Sequence, residues 1–183
     1  MNDKLKTERL ILEQPEIKDV EVLFNLMASK VDTTYLSWEP HSNIEITEKL
    51  IANLIEAQKQ DKGYHWCIYY NDKIIGIVSL IDVKRQIRSW ILNRAELSYW
   101  IAKPYTGNGF ATEAARAVLI FGFQHLSLHK IIIAHSTENI ESQKICEKLG
   151  FNKYALEHDA FMKNQKWYDL AWYELLNTET NKK

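Results

Sequence analysis

The 183-residue chain is short of several things, and each shortage excludes something. Its two cysteines, Cys67 and Cys146, cannot build a disulfide framework or a cysteine-rich zinc site, and they read as reduced thiols used as small apolar residues. No charge of either sign is in excess. Lys plus Arg total 23 against 24 Asp plus Glu, so a net charge of −1 offers no broad basic field for DNA and no acidic tail. No apolar run approaches a membrane span: the longest mostly apolar stretch, 74–81, is far too short, and the opening MNDKLKTERL lacks the apolar segment of a signal peptide. The expectation is a cytoplasmic protein with neither membrane nor DNA as partner. A chain of this length, 46% hydrophobic, builds one core rather than two, so one domain is expected over 1–176 with a polar, flexible tail at 177–183. Glycine is also scarce at six residues, so the pair Gly107 and Gly109 marks a local need for unusual backbone geometry.

The remaining pattern is legible element by element. TERLILE at 7–13 predicts a first strand, and Pro15 suits the opening turn of a helix with Ile17, Val20, Leu23, Phe24 and Met27 at helical spacing. A loop over 30–42 carries Tyr35, Leu36 and Trp38. The stretch 44–60 predicts an amphipathic helix, with Ile44, Ile51, Leu54 and Ile55 on one side and Gly63 as its stop. Two β-rich runs, 64–70 and 73–83, meet at the turn-forming Asn71-Asp72 and predict a hairpin. The polar stretch 84–93 is expected to be a mobile loop. A strand over 94–102 then stops at Lys103-Pro104. A mostly buried helix is predicted over 110–125, with Thr112, Glu113 and Arg116 as its polar strip. Next come a buried strand at 130–135 and a helix at 140–149 closed by Gly150 and Phe151. Strands near 151–161 and 166–175 finish the chain. The fold class is α/β of mixed type: a twisted, mostly antiparallel sheet of about seven strands flanked by about four helices. Strands 94–102 and 130–135 form one parallel βαβ unit within it.

The turn between that strand and helix, Pro104 to Thr112, places two glycines where a helix begins. Such a junction turns free backbone N–H groups and the positive helix end toward an anion, ideally a pyrophosphate, although a tight turn alone would use the same residues. No Gly-Lys-Ser/Thr follows the second glycine, as a nucleoside triphosphatase needs. GNGFAT also lacks the third glycine of a dinucleotide loop, and strand 130–135 does not end in the acid that would bind a ribose. A different nucleotide-bearing ligand is required.

Four segments in register carry a resemblance across essentially the whole chain: TERLIL at 7–12, AELSYWIAKPYTGNGFATEA at 95–114, ENIESQKICEKLGF at 138–151 and KWYDLAWYELL at 166–176. The sequence resembles the GNAT superfamily of acetyl-CoA-dependent N-acyltransferases, within it the branch of RimJ/RimL-like ribosomal-protein N-terminal acetyltransferases. The resemblance implies the GNAT fold, acetyl-CoA as co-substrate and no metal. It implies that the backbone amides of Thr106, Gly107, Asn108, Gly109, Phe110 and Ala111, with Thr112 beside them, cradle the pyrophosphate. Thr106 stands where the family pattern has Gln or Arg, which removes one side-chain contact and leaves the amides. Trp100 and Ile101 hold the positions of a bulged strand that lends its backbone to the pantetheine and acetyl group. Glu96 matches the acid that serves many members as general base, directly or through water; a salt-bridged strand carboxylate would look the same.

Asn139 is a natural N-cap at the start of the second helix, on the cofactor side. Ser142 shares a helix side with Ile145, Cys146 and Leu149, and matches a proposed donor to the departing CoA sulfur. The tyrosine that serves this role elsewhere in the superfamily would fall at Cys146. Lys144 and Lys148 are candidates to help hold the CoA phosphates, although exposed helix lysines are more often simply solvated. Tyr35, Trp38 and His41 fall in the loop that lines the acceptor side. His125 and His129 have i, i+4 spacing but straddle a helix end, with no metal-ligand motif around them in the sequence, so no metal site is expected. The resemblance implies an enzyme whose acceptor is an amine attacking directly in a ternary complex, with a protein N-terminal α-amine first. A small amine such as a polyamine, amino acid or antibiotic is the alternative, and a non-catalytic CoA-binding sensor the alternative of another class. The sequence leaves monomer and homodimer both open.

Overall fold

In the computed structural model, which describes residues 4–28 and 33–177, eight strands make one sheet. They are β1 (Leu5–Lys6), β2 (Ile11–Glu13), β3 (Tyr64–Tyr70), β4 (Lys73–Ile87), β5 (Trp90–Ile101), β6 (Lys130–Ser136), β7 (Asn152–Lys163) and β8 (Lys166–Leu176). The spatial order is β1-β2-β3-β4-β5-β6-β8-β7. Only the central pair β5 and β6 is parallel; the other neighbours are antiparallel. Four α-helices flank the sheet: α1 (Val20–Ala28), α2 (Ile44–Lys59), α3 (Phe110–Gln124) and α4 (Ile140–Leu149). The helix α3 is the crossover of the β5-α3-β6 unit, as the hydrophobic run over 110–125 predicts.

Pleating divides the core in two, because successive strand residues point to opposite faces. On one face Trp66, Ile68, Val78, Leu80 and Leu97 pack under Ala114, Val118 and Phe121 of α3, with Cys146 and Leu149 of α4. On the other, Cys67 and Ile74 pack under Val20 and Leu23 of α1 and Ile51 of α2. Gly76 permits a close approach of β4 to β5: a Cβ there would collide with the carbonyl oxygen of Trp100. The Asn71-Asp72 hairpin turn forms as expected, both residues taking positive φ (47° and 60°) to match the strand twist.

Four expectations need correction. The strand expected over 7–13 shortens to β2 at Ile11–Glu13, with a separate β1 before it at Leu5–Lys6, because the Thr7 hydroxyl accepts from Leu10 N (2.9 Å) and Thr7 N donates to Leu10 O (3.0 Å), closing a turn between them. The separate β1 makes eight strands rather than about seven. Residues 84–93 are not a mobile loop. They extend β4 and β5 into a long hairpin, with Lys84 opposite Arg94 and Ile87 opposite Trp90. This arm runs beyond the core, so no face of it requires the apolar alternation that reveals a strand, and its tip leaves Trp90 72% and Ile91 70% exposed. The helix expected from Pro15 starts late: a 3₁₀ turn at Ile17–Asp19, capped by reciprocal bonds between Glu16 and Asp19, precedes α1 and leaves Ile17 exposed. Nor does Gly63 stop α2; Gln60 is the C-cap, and a Cβ on Gly63 would sit 2.8 Å from His65 Nε2. The expected tail lies outside the described residues from 178 onward. Among the described residues, no helix is long and apolar enough to cross a membrane.

Candidate functional site

Parallel pairing between β5 and β6 lasts three residues, Arg94 with Lys130, Ala95 with Ile131 and Glu96 with Ile132. Past Glu96 the two strands part: β5 stays paired to β4 as far as Ile101, and β6 stays paired to β8 as far as Ser136. One edge of the β5 backbone therefore faces a cleft opened in the middle of the sheet. The expected bulge at Trp100 and Ile101 is absent. The register from Glu96 opposite Ile81 to Ile101 opposite Gly76 is unbroken, and the irregularities lie between Ile81 and Gln86 of β4. Divergence from β6, rather than a bulge, frees the edge of this strand.

The N-terminus of α3 stands at the head of the same strand. Gly107 and Gly109 both take φ +79°, and Gly109 is an N-cap with no side chain over the first turn. A Cβ at Gly107 would meet nothing within 4 Å, so the turn presents open backbone. The polar side chains around it fold back: Asn108 Nδ2 donates to Tyr105 O (3.1 Å) and Thr106 Oγ1 to Lys103 O (2.9 Å). Phe110 is buried, whereas Ala111 and Thr112 are half-buried behind the turn. A left-handed turn with bare amides at the start of a 15-residue helix fits a pyrophosphate.

Sequence reasoning missed what braces this turn. Arg9 donates from Nε to Glu113 Oε2 (2.7 Å) and from Nη1 to Asn108 O (3.1 Å), and its guanidinium lies 4.7 Å from the centre of the Phe110 ring. Glu113 also accepts from the Thr7 hydroxyl (2.6 Å) and Arg9 N (2.9 Å). Burial pushes the Glu113 carboxyl up, but these donors together outweigh it and hold its pKa below the usual value. The TERLIL motif was the available signal; only the fold shows that two of its residues grip α3.

On α4, Asn139 is the expected N-cap, its Oδ1 accepting from Ser142 N at 3.1 Å. Ser142 is half-buried, and Cys146, one turn on, is buried with its thiol pushed up to about 12 by desolvation. Lys144 is exposed, while Lys148 contributes its carbonyl to Arg116 Nη2 (3.2 Å), tying α4 to α3. Gly150 takes φ +81° and closes the helix as expected.

Glu96, Ser98 and Trp100 alternate on the sheet face toward α1 and α2. Glu96 is half-buried, and burial raises its pKa; Asp82 adds to the rise while Lys84 and Arg94 oppose it. Trp100 meets Trp38 edge to face at 5.4 Å, and Trp38 meets His41 at 5.8 Å. The ring contact of Tyr35 is instead with Tyr168 of β8, at 6.1 Å. A residue that the sequence did not flag, Lys163, carries this wall: its Nζ donates to Leu36 O (2.8 Å) and Trp38 O (2.9 Å) and pairs with Glu39 (3.0 Å). Also unforeseen is a polar row across three strands, His65 opposite Ser79 and Ser79 opposite Ser98, with His65 Nδ1 2.9 Å from Ser79 Oγ. Among the described residues no group of three or more His, Cys, Asp or Glu is placed to hold a metal. A separate cleft of about 550 Å³ lies by Asp61, Tyr64 and Arg85, where Asp61 already accepts from both Tyr64 and Arg85.

A mixed sheet split at its single parallel pair, with a bare-amide turn leading into the crossover helix, defines the class by its fold: an α/β domain with an open turn suited to an anion beside the parted strands. Comparison with known proteins agrees. Residues 9–152 match the family described as Acetyltransferase (GNAT) domain. The chain is 28% identical over 181 residues to "Probable N-acetyltransferase YjcK" of Bacillus subtilis, covering 96% of this chain and 98% of that one. It is 26% identical over 176 residues to "Putative ribosomal N-acetyltransferase YdaF" of the same organism, with 94% and 93% coverage. A shorter match, 34% over 91 residues, links 49% of this chain to 46% of the spermidine N(1)-acetyltransferase of Escherichia coli. A crystal structure of a "Probable acetyltransferase" superposes with TM-score 0.87 at 26% identity, covering 96% of this chain and 98% of that one. The fold is also that of RimL, a ribosomal L7/L12 α-N-protein acetyltransferase in complex with coenzyme A, at TM-score 0.87, 17% identity and 95% and 98% coverage. The chain belongs to the GNAT acetyltransferase family and is an N-acetyltransferase.

Proposed function

We propose that this enzyme moves the acetyl group of acetyl-CoA directly onto a protein N-terminal α-amine, with both substrates bound at once. The observation that carries the reading is the cleft past Glu96, flanked by the free edge of β5 and headed by the open turn at Gly107 to Gly109. Those amides hold the pyrophosphate, and the β5 edge at Trp100 and Ile101 aligns the pantetheine arm and the thioester. Lys144, exposed on α4, adds charge for the CoA phosphates. The amine enters from the opposite sheet face, past Trp38, with Tyr35 at the outer wall. Transfer requires a neutral amine, and an α-amine of pKa about 8 is roughly one-tenth neutral at pH 7. Glu96 takes the proton released on attack, directly or through water. Its raised pKa makes it a stronger base than an exposed glutamate while leaving it able to ionise. Ser142 donates a hydrogen bond to the sulfur as the C–S bond breaks.

The test is an acetyl-transfer screen by mass spectrometry against peptides of varied N-termini and small amines. Transfer to peptide α-amines is the expected result. The 91-residue match to a spermidine acetyltransferase supports a second reading, acetylation of a polyamine. Transfer to spermidine with none to peptides selects it, and CoA binding without transfer to any amine leaves a sensor. Ser142→Ala is expected to lower kcat about three- to tenfold without abolishing it, since a thiolate with a pKa near 8.5 already leaves well. Unchanged turnover removes Ser142 from the mechanism.

A further inference from the structure

Tyr99 has a hydroxyl that nothing yet described uses. It lies on β5 in the segment that has parted from β6, and its oxygen is inaccessible to solvent with no hydrogen-bond partner. A buried hydroxyl without a partner is costly, and such groups call for an explanation. By alternation its ring leaves the face of Glu96 and Trp100 and joins the core under α3 and α4. There its hydroxyl interacts with the Ser142 side chain, without a hydrogen bond of full geometry. Tyr99 rises from the β5 bank of the cleft and Ser142 from α4, which follows the β6 bank. The approach between them therefore spans the place where the two strands separate.

Resting on the acetyl-transfer reading above, we infer that Tyr99 is the positioning partner of Ser142. Its phenolic O–H donates to Ser142 Oγ and turns the serine's own O–H toward the thioester sulfur. A lone serine hydroxyl has three staggered settings and competing acceptors on its own helix, the carbonyls one turn back. A donor fixed in a β-strand removes that choice by filling one lone pair of Oγ. In the transfer itself, the amine nitrogen forms its bond to the carbonyl carbon, the C–S bond breaks, and its electron pair goes to sulfur. The amine proton leaves toward Glu96 and solvent. No proton passes from Tyr99 or Ser142, because an alkoxide or phenolate is a poorer place for charge here than a thiolate. The two hydroxyls form a relay of hydrogen bonds to the sulfur, not of protons. The phenol supplied from β5 thus stands near the position on α4 where this chain carries Cys146, whose buried S–H is only a weak hydrogen-bond donor.

Tyr99→Phe, Ser142→Ala and the double variant test this. The phenylalanine ring keeps the packing and removes only a hydroxyl whose approach to Ser142 falls short of a full hydrogen bond, so the Tm of Tyr99→Phe is expected to stay close to that of the unaltered protein. Acetyl transfer with saturating amine should show kcat lowered about three- to tenfold in Tyr99→Phe, with KM for acetyl-CoA within about twofold. The double variant should be no slower than Ser142→Ala, because the tyrosine acts only through the serine. Unchanged kcat in Tyr99→Phe, multiplied losses in the double variant, or a loss confined to KM each overturn the inference while leaving the acetyltransferase reading intact. An unaltered enzyme that binds acetyl-CoA and acetylates no amine overturns both.

Discussion

At Glu96 stability and chemistry pull in opposite directions. A half-buried carboxylate near Asp82 binds its proton more tightly in the folded chain than in the unfolded one. Its contribution to stability is therefore present below the ordinary carboxylate range and lost as pH rises through the raised value, so the ionised form that catalysis needs is the less stable one. Glu96→Gln is expected to leave the Tm at pH 7 unchanged or higher while lowering kcat/KM at least about tenfold and removing the acidic limb of its pH profile. A variant with full activity and the same acidic limb excludes Glu96 as the base. The sequence named this residue through resemblance, but it could not supply the burial. That depends on where β5 runs relative to α1 and α2. Lys163 is the contrary case: nothing local distinguishes a lysine near a strand end that is solvated from one 9% exposed that binds two carbonyls of a distant loop.

Among the elements, the turn into α3 was readable because its requirement is local. Positive φ at Gly107 and Gly109 favours residues without a Cβ, and a glycine pair just before a helical run announces it. Gly107→Ala separates conformation from contact, since its Cβ would enter open space. The left-handed backbone then costs about 1–2 kcal/mol, a modest fall in Tm. The methyl group also screens the amides, so KM for acetyl-CoA is expected to rise at least about fivefold with kcat little changed. Steady-state kinetics with thermal unfolding checks both, and an unaltered KM excludes this turn from pyrophosphate binding. The β4–β5 arm was unreadable for the opposite reason. Its pairing holds beyond the core, where no apolar face records the strand period, and Trp90 and Ile91 at its tip mimic nothing local.

For the whole molecule, the buried His65 ties stability to acidity. Its ring is 3% exposed, and burial lowers its pKa to about 4 from the usual 6.5. Below pH 6.5 the unfolded chain takes up a proton that the folded chain refuses. Stability is thus fully present above that pH and declines as pH falls toward 4. The loss between pH 7 and 4.5 is expected to be about 2 kcal/mol from this residue, and His41, also buried with a lowered pKa, acts in the same direction. Thermal unfolding across that range should show a falling Tm, with a shallower fall in His65→Asn; equal slopes would place the pH dependence elsewhere. No such reading was possible from composition, because the row of His65, Ser79 and Ser98 exists only where β3, β4 and β5 lie in register.

What the sequence by itself determined follows from short-range physics. Helical and strand periods, the caps at Asn139 and Gly150, the hairpin at Asn71-Asp72 and the glycine turn all depend on neighbours within a few residues. Only the tertiary structure decided where β5 and β6 part, that Arg9 and Thr7 brace Glu113, that Lys163 anchors the Trp38 loop, and that the Tyr99 hydroxyl is buried on the α3 and α4 side. Each of these joins residues from separate elements, and their distance depends on sheet order and register, which no local spacing encodes.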